Sequence, residues 1–467
     1  MTHAVDLSAL FGRAAELAAE FRLALPDRPV APQADLPAAI RLLDRPLPDQ
    51  PADPAEVLEE LAGAAGPGVT SSAGPRFFGF VTGGALPAAT AADMLAAGWD
   101  QCAFNAVLSP AAAAAERVAG TWLKDLLGIP ATASVGFTTG AQGANTVGLA
   151  AARHRVLQRA RWDLPARGLT GAPRVRVLAG AERHATIDAS LRLLGLGTDC
   201  LEPVPCLPDG SMDMTELARM LDAGDRQAPL IVCLQTGNVN TGACDDLRTG
   251  CELAHARDGW VHVDGAFGLW AGASPALRHL TDGVDLADSW CADGHKWLNV
   301  PYDCGFAFCA HPDVHAAALS YSAAYLSGSE AVSYGPGDLV PESSRRARGF
   351  AVWAALRELG RSGVGDLVDR CCALARRFAA GLTAGGAEIV NEVVLNQVLV
   401  DVPGADVDAV VDAVQRDGTC WLGATTWRGR RLMRVSVSNY ATTADDVDRS
   451  VAAILRAAAS APAAALG

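Results

Sequence analysis

Lysine is nearly absent from this chain of 467 residues: the 38 basic residues comprise 36 arginines and two lysines, Lys124 and Lys296. Arginine keeps its proton near neutral pH and cannot act as an amine nucleophile, whereas a buried lysine can. Because arginine serves wherever a positive charge is enough, each lysine requires a chemical explanation. Lys124 lies in the amphipathic stretch 121–127, which favours a position on the surface of a helix. Lys296 is therefore the candidate for amine chemistry.

Other absences limit the class of protein. The net charge is −14 and no stretch is rich in lysine and arginine, so we expect no nucleic-acid partner. No run of about 18 uncharged apolar residues occurs, and the N-terminal segment lacks the apolar core of a signal peptide, so we expect no membrane span and no export. The twelve cysteines form no CxxC pair and no zinc-spaced cluster with histidine, which favours reduced thiols, no metal site and a cytoplasmic location. A small-molecule substrate is the remaining expectation.

The pattern of hydrophobic residues predicts an α/β fold. Half of the residues are hydrophobic and 19% are charged, which is enough to bury a large core. Residues 1–85 are predicted to form an N-terminal helical arm interrupted by proline-rich linkers. Further along, helical stretches alternate with short runs of β-forming residues at 174–178, 230–234, 260–263 and 305–309. This alternation predicts a mostly parallel sheet covered by helices on both faces.

The last third of the chain predicts a smaller α/β domain. Helical patterns cover 345–360 and 364–382, and a helix at 406–416 is flanked by strands at 389–402 and 431–437. We therefore place three units along the chain, at residues 1–85, 86–345 and 346–467. The second is the large domain and the third the small C-terminal domain.

A carboxylate ends the strand predicted at 260–263. Asp264 follows this apolar run directly and is itself followed by two small residues, Gly265 and Ala266. In open α/β sheets, ligands bind where the strands end. A carboxylate at such a place can keep a pyridinium nitrogen protonated, and the small residues let a flat ring approach the backbone. The alternative is an aspartate that only caps a turn.

His295, Lys296 and Trp297 stand side by side after another β-like run. The rare lysine thus lies at the same kind of strand end as Asp264. A buried amine with no partner is costly, so we interpret Lys296 as a functional group. His295 alone is also typical of a hydrogen-bonded core histidine, but its position beside one of two lysines favours a role in the site.

Two further candidates lie where predicted strands meet helices. The segment 137–145 is rich in small residues and precedes a helical stretch, so its backbone N–H groups are placed to bind phosphate. The same composition is typical of an ordinary helix start, and the spacing matches neither the Walker A nor the dinucleotide pattern. His184 falls between the strand at 174–178 and a helix at 187–194, where it could stack on a ring or simply cap the helix.

These motifs, in this order, resemble the group II decarboxylases that depend on pyridoxal 5'-phosphate (PLP). That family includes the aromatic amino acid and glutamate decarboxylases and has the aspartate aminotransferase fold. The resemblance runs from about Pro75 to Asn439 and also includes the segments 75–80, 238–243 and 295–305. It implies a PLP-dependent transferase of fold type I, with PLP as cofactor, an amino acid as substrate, and a homodimer with active sites at the interface.

The resemblance also implies roles for individual residues. Lys296 would hold PLP as a Schiff base, Asp264 would pair with the pyridine nitrogen, and His184 and Ala266 would cover the two ring faces. Other residues would contact the phosphate or lie near the cofactor: Gly140, Ala141, Gln142, His295 and Asn238. A last group would form the substrate pocket near the dimer interface, with plain apolar core as the alternative: Phe80, Val81, Thr82 and Phe104.

The chain also departs from the family pattern. Gln142 and Gly143 stand where the family usually has Ser or Thr followed by Glu, and Asn238 replaces a common Thr. The family's catalytic tyrosine lies on a mobile loop before a pair of arginines. Tyr334 is the candidate in this chain, although the alignment is displaced there, and a solvent-facing tyrosine is the alternative.

Decarboxylation at Cα of an amino acid is the expected reaction, giving an amine and CO2. The alternatives are an aminotransferase, an oxidative deaminase, a carbon–carbon lyase or bond-forming enzyme, and a protein that binds PLP without catalysis. Arg434 could clamp a carboxylate in the plane of the ring, as transamination requires, or be a surface arginine. The pocket candidates are mostly apolar, which favours an aromatic or aliphatic substrate side chain.

Overall fold

The structure, a computed structural model, describes residues 5–320 and 335–463. It begins with the predicted arm of three helices, α1 (Leu7–Ala24), α2 (Leu36–Leu43) and α3 (Pro54–Ala65). Each starts after an aspartate whose side chain accepts a hydrogen bond from a backbone N–H of the first turn. None of the residues in these three helices is buried within the chain. The arm therefore presents its apolar residues outward.

A seven-stranded sheet forms the centre of the molecule. Its strands are β1 (Ser134–Thr138), β2 (Arg176–Gly180), β3 (Leu201–Val204), β4 (Leu230–Gln235), β5 (Trp260–Asp264), β6 (Ser289–Asp293) and β7 (Gly305–Cys309). They are ordered β1-β7-β6-β5-β4-β2-β3, and within this sheet only β7 runs antiparallel to its neighbours. The predicted mostly parallel sheet is confirmed, although β1 and β3 were not predicted.

Helices cover this sheet on both faces, as predicted. They are α4 (Pro87–Gly98), α5 (Pro110–Leu127), α6 (Ala141–Arg159), α7 (Leu164–Arg167), α8 (Ala185–Leu193), α9 (Met214–Ala223), α10 (Leu247–His255) and α11 (Pro312–Leu319). Along β4, Ile231 and Cys233 pack in the cluster that contains α6 and α8, while Val232 and Leu234 pack in the cluster that contains α10. Such strands lack polar alternation because both of their faces are buried.

The C-terminal part contains a second sheet. Its elements are α12 (Gly349–Ala384), β8 (Glu388–Ile389), β9 (Gln397–Asp401), α13 (Val407–Asp417), β10 (Gly423–Trp427), β11 (Arg430–Ser436) and α14 (Ala444–Ser460), and the strands form an antiparallel sheet ordered β10-β11-β9-β8. The two helices predicted at 345–360 and 364–382 are confirmed as helical stretches that meet in a kink at Gly360, which has a left-handed φ of 64°. The first of them begins at Gly349. One difference from the prediction has a physical cause. The strand predicted at 389–402 is divided because Asn391 hydrogen-bonds Gln397 O and Leu399 N.

A buried arginine joins α12 to the large sheet. Arg345, which precedes α12, donates to Phe137 O at the end of β1 and to Ala103 O, each at 2.7 Å. Its guanidinium also pairs with the buried Glu116 of α5 at 2.9 Å. Breaking such a buried pair leaves an uncompensated charge. The pair thus fixes the end of β1, where the candidate phosphate loop begins.

Within the described ranges, no helix has both the length and the apolar character that crossing a bilayer requires.

The sheet edge formed by the starts of β5 and β6 carries an aspartate between two histidines. Asp288 accepts from His255 Nε2 at 3.0 Å, from His311 Nε2 at 2.8 Å and from Val261 N at 2.8 Å. Burial opposes ionisation of this carboxyl, but the two histidines bring the pKa of Asp288 down to about 2. The hydrogen bond with Asp288 in turn raises the pKa of His255.

We predict that His255→Gln destabilises the fold in a pH-dependent way. A raised folded-state pKa means that the ion pair stabilises the fold fully below the unfolded histidine value, about 6.5. That stabilisation is lost as the pH rises through the higher folded value. The difference in unfolding free energy between parent and variant should stay within about 1 kcal/mol, because His255 is partly exposed and screened.

Denaturant unfolding at a series of pH values measures this difference. His279→Gln is the control, because His279 faces a backbone carbonyl and not a carboxylate. The assignment would be contradicted if the unfolding free energy of the parent minus that of the variant grew as the pH rose from about 6 to about 8, the range in which a histidine titrates.

Candidate active site

The candidate residues meet at the edge where the parallel strands end. Asp264 is the last residue of β5 and Asp293 the last of β6, while Gly140 and His184 lie just before α6 and α8, after β1 and β2. Side chains at neighbouring strand ends converge in open α/β sheets. The structure places these residues at the sheet edge where the sequence predicted the site.

Lys296 lies close to a carboxylate at this edge. Its Nζ is 3.3 Å from Asp293 Oδ2, and its side chain is 19% exposed. The backbone of the lysine is covered by Gly83, where an added Cβ would lie 1.9 Å from Lys296 O. Lys124, in contrast, donates to Ala131 O and Ala133 O near the end of α5. The structure therefore separates the two lysines as the sequence predicted.

Asp293 is a site residue that the sequence analysis missed. Its Oδ1 accepts from Ala141 N at 2.6 Å, and its Oδ2 is 3.5 Å from His295 Nε2. It thus connects the start of α6 with the lysine segment. Asp293 ends a strand just as Asp264 does, and this position could have identified it. The interpretation of the segment rested on the adjacent His295 and Lys296 instead.

Asp264 is a buried hydrogen-bond acceptor. Its Oδ2 accepts from Asn145 Nδ2 at 3.1 Å, and its Oδ1 accepts from Ala266 N and from the Cys291 thiol, each at 3.2 Å. Burial raises the pKa of Cys291 well above its ordinary value, so the thiol keeps its hydrogen as a donor. Donors to an ionised carboxylate favour its charged form.

His184 both caps α8 and faces the site. Its Nδ1 accepts from Thr186 N at 3.3 Å and lies 2.9 Å from Thr186 Oγ1, while its own backbone N–H donates to Gln235 Oε1. Burial lowers the pKa of His184, which is also influenced by Asp264 and Lys296. His184 therefore caps the helix, as the alternative interpretation predicted, and its Nε2 remains available to the site.

The start of α6 offers backbone donors. Gly140 precedes the helix without a side-chain cap, and an added Cβ there would lie 3.0 Å from His295 Cε1. The first N–H groups of a helix have no acceptor within it. The side chain of Gln142, however, donates to Ser190 Oγ at 3.0 Å, so it points toward α8. An anion at this place would be bound by the backbone of residue 142.

His295 is held in one tautomer. Its Nδ1 accepts from Cys304 N at 3.0 Å, and its ring stacks on Tyr302 with the centroids 4.4 Å apart. Because burial lowers the pKa of His295, the neutral ring carries its hydrogen on Nε2, which faces Asp293.

The amide of Asn238 is used within its own loop. It donates to Glu182 O at 3.0 Å and accepts from Asn240 N and Thr241 N. These bonds position the loop after β4 beside the site.

The substrate-pocket candidates separate into two places. Phe80 is 66% exposed and stacks on Trp421, Val81 is fully buried, and Thr82 accepts from Tyr302 Oη at 3.4 Å. Phe80 and Val81 have left-handed φ values of 54° and 60°, a strain that bulky residues rarely accept and that is often found at functional sites. Phe104 packs against Gly337 instead.

Two further candidates complete the comparison with the sequence. Arg434 of β11 donates to Val239 O at 3.2 Å, and burial lowers its pKa. It is not the surface arginine of the alternative interpretation, since it is largely enclosed and its charge influences His184. Tyr334 lies outside the described residues.

This arrangement fits PLP. The amine of Lys296, the acceptor Asp264 and the N–H groups at the start of α6 match the aldehyde, the ring nitrogen and the phosphate of that cofactor. Glycine at position 140 keeps open the space that a side chain would fill against His295. Within the described ranges, no cluster of histidine, cysteine and carboxylate side chains could hold a metal.

Comparison with known proteins agrees with this chemistry. Residues 37–401 match the family described as the pyridoxal-dependent decarboxylase conserved domain. Tryptophan decarboxylase 1 of Oryza sativa subsp. japonica is 28% identical over 396 residues, which cover 80% of this chain and 76% of the relative. Phenylacetaldehyde synthase of a Rosa hybrid cultivar is 26% identical over 348 residues, which cover 71% and 66%.

Solved structures share the fold. The crystal structure of Oryza sativa TDC with PLP and tryptamine aligns with a TM-score of 0.89 at 23% identity, covering 98% of both chains. Mouse CSAD aligns with a TM-score of 0.88 at 22% identity, covering 97% of this chain and 98% of that chain. The family match spans most of the sequence, and the strand-end lysine and aspartate supply the matching chemistry. The chain therefore belongs to the pyridoxal-dependent decarboxylases, has fold type I and takes PLP as its cofactor.

Proposed function

We propose that this chain removes the carboxylate of an amino acid with an aromatic side chain and releases CO2 and the corresponding amine. The observation that carries the proposal is the placement of a partly buried amine, Lys296, and a buried acceptor, Asp264, at neighbouring strand ends. The aromatic class is supported by Phe77 and Phe80, which stack on Trp421 at centroid distances of 4.8 and 5.2 Å. It is also supported by relatives named tryptophan decarboxylase and tyrosine decarboxylase.

When bound, PLP supplies an electron sink for the electron pair left at Cα as the carboxylate departs. Lys296 would hold the cofactor through its amine. Asp264 would keep the proton on the ring nitrogen, because a hydrogen-bond acceptor favours a protonated donor. His184 and Ala266 would cover the two ring faces. The phosphate would be bound by the N–H groups of residues 140 and 142 with His295, since the N–H of Ala141 is bonded to Asp293, while Asn238 positions the loop beside the site.

The orientation of the substrate decides which bond at Cα breaks. If Arg434 bound the substrate carboxylate, it would retain that group and favour transamination, whereas a carboxylate not bound by Arg434 would be the group that leaves as CO2. We assign the choice of orientation to Phe80, Val81 and Thr82, which directly precede Gly83 and its close approach to Lys296 O.

The test of the function is incubation of the loaded protein with a panel of amino acids, with mass spectrometry of amine, aldehyde, keto acid and CO2. We predict amine and CO2 from aromatic substrates, and loss of both products in Lys296→Ala. Borohydride reduction followed by peptide mapping should place the cofactor on residue 296. Lys124→Ala is the matched control and should retain adduct and activity. A cofactor adduct mapped to Lys124, or keto acid as the main product, would refute the proposal.

A second candidate product is an aldehyde, since four of the relatives are named phenylacetaldehyde synthase or 4-hydroxyphenylacetaldehyde synthase. We propose that Tyr334 decides between the two products by delivering a proton to Cα after CO2 has left.

We predict that Tyr334→Phe lowers the yield of amine and, in air, raises the yield of aldehyde. Without the proton donor, O2 takes up the electron pair at Cα and leaves as hydrogen peroxide, and water then replaces the amino group, which leaves as ammonia. Cofactor absorbance should be unchanged. Tyr440→Phe is the control, because Tyr440 lies against Arg22 of the N-terminal arm. An unchanged ratio of amine to aldehyde in Tyr334→Phe would assign that tyrosine to the solvent-facing alternative.

We also propose that the protein is a cytoplasmic homodimer with Phe104 contributing to the site of the partner. The location is supported by its twelve cysteines, all of them free. The dimer is supported by the arm, whose exposed apolar side chains exceed what isolated surface residues require. They include Leu7, Phe11, Leu36, Ile40 and Leu61.

We predict that Leu7→Ser combined with Phe11→Ser weakens the dimer, because these apolar side chains would lose their burial against the second chain. Light scattering after size-exclusion chromatography should give twice the mass of one chain for the parent and a lower mass for the variant on dilution. Leu193→Ser, at an exposed apolar position of α8, is the control. A monomeric parent would refute the proposal.

A further inference from the structure

A continuous row of hydrogen-bonded side chains runs beneath the site. Trp260 Nε1 donates to Ser289 Oγ at 2.9 Å, Ser289 Oγ lies 2.8 Å from His262 Nδ1, and His262 Nε2 lies 2.8 Å from Asn145 Oδ1. Asn145 Nδ2 then reaches Asp264 Oδ2 at 3.1 Å and Thr186 Oγ1 at 3.2 Å. The four side chains from Trp260 to Asn145 are at most 1% exposed.

The chemistry of the groups gives this row a single direction. An indole nitrogen can only donate, so Ser289 accepts from Trp260 and its hydroxyl hydrogen is free to go to His262 Nδ1. Burial lowers the pKa of His262 to about 4, so the ring is neutral and its one hydrogen lies on Nε2. That hydrogen goes to Asn145 Oδ1.

The orientation of the Asn145 amide follows from the carboxylate. Turning the amide over would place its oxygen against Asp264, and two acceptors would face each other at hydrogen-bond distance. With Nδ2 toward the carboxylate, both of its hydrogens are used, one on Asp264 and one on Thr186. Thr186 can then donate its hydroxyl hydrogen to His184 Nδ1, which leaves the hydrogen of His184 on Nε2.

A glycine in the middle of α6 makes room for this arrangement. A Cβ added at Gly148 would lie 2.5 Å from His262 Cε1 and 3.4 Å from Ser289 Oγ. Glycine inside a helix is less stable than alanine. The imidazole of His262, with the hydrogen-bonded row to which it belongs, therefore occupies the space that a side chain at position 148 would need.

We infer that Asn145, oriented by His262, is a positioning residue that keeps a hydrogen-bond donor on Asp264, the acceptor proposed for the cofactor, and fixes the tautomer of His184. It joins the groups proposed to act on the ring nitrogen and on one ring face. The inference rests on the proposed role of Asp264 toward PLP. It also gives a defined acceptor to each hydrogen of the buried His262 imidazole and of the buried Asn145 amide.

The readout is the affinity of the apoprotein for PLP as a function of pH, measured by equilibrium dialysis. If Asp264 binds the cofactor only when ionised, affinity falls on acidification. Asn145→Asp keeps the shape of the side chain but replaces the donor with a like charge, so the fall should move to higher pH by about one to three units. His262→Leu should move it in the same direction, and His262→Gln, which retains a donor near Asn145, should restore it.

Several titratable groups face Asp264 from the elements around it and are the same in parent and variants. They lie on β4, on β6, before α8 and in the lysine segment: Cys233, Cys291, His184, Asp293 and Lys296. Comparison of each variant with the parent cancels their effect. The matched control is His315→Leu, because His315 is an equally buried neutral histidine that bonds Ser134 and Leu339 O, in a different part of the fold.

Asp264→Asn separates the inference from the proposal on which it rests. If that variant keeps the same acid-side fall as the parent, the role of Asp264 is wrong. If Asp264→Asn removes the fall but Asn145→Asp leaves it in place, the inference about Asn145 is wrong. An equal displacement in His315→Leu would also overturn it, because the effect would then belong to any buried histidine. Should His262→Leu fail to fold, Ser289→Ala tests the same row, with a smaller displacement in the same direction.

Discussion

The need to surround a buried carboxylate with hydrogen-bond donors is the constraint on which this site depends. Asp264 is 6% exposed, and a polar group removed from water is costly unless it is hydrogen-bonded. Those donors come from three directions: an amide on α6, a thiol on β6 and the backbone of residue 266. β5 lies beside β6 and in contact with α6, which brings these donors together around Asp264.

Asp293, which is 2% exposed, presents the same constraint beside charged or protonatable neighbours. It lies at the next strand end, but its neighbours include the two cationic or protonatable groups Lys296 and His295. Its bond with Ala141 N uses one of the donors at the start of α6. The Asp293 carboxylate therefore joins the lysine segment to the phosphate loop. Because this connection consists of side chains and backbone alone, the rigid frame of the site does not depend on the cofactor.

The parts of the site that the sequence predicted are those that a short segment can specify. Lys296 stood out because lysine is rare, and Asp264 because an apolar run ends there. Asn145 and His262 could not be found in this way, because their roles depend on a contact between a helix and a strand 117 residues apart. The same holds for Gly148, because the reason for a glycine at this position is clear only from its contact with His262. In the fold, the long hydrophobic strands were predicted, while β1 and β3 have compositions that helices and turns share.

Two chemically different outcomes are compatible with this frame, and its construction explains why. The strand ends hold the cofactor through Lys296, Asp264 and the start of α6, all on rigid elements. These groups act on the ring and phosphate, so they make every bond at Cα easier to break and do not select the fate of the carbon. Under the proposed function, selection falls to residues from outside the central sheet, which are Phe80 and Val81 in their turn with left-handed φ values and Phe104 beside Gly337. A substitution at one of these positions would therefore change the product without altering the buried row beneath Asp264.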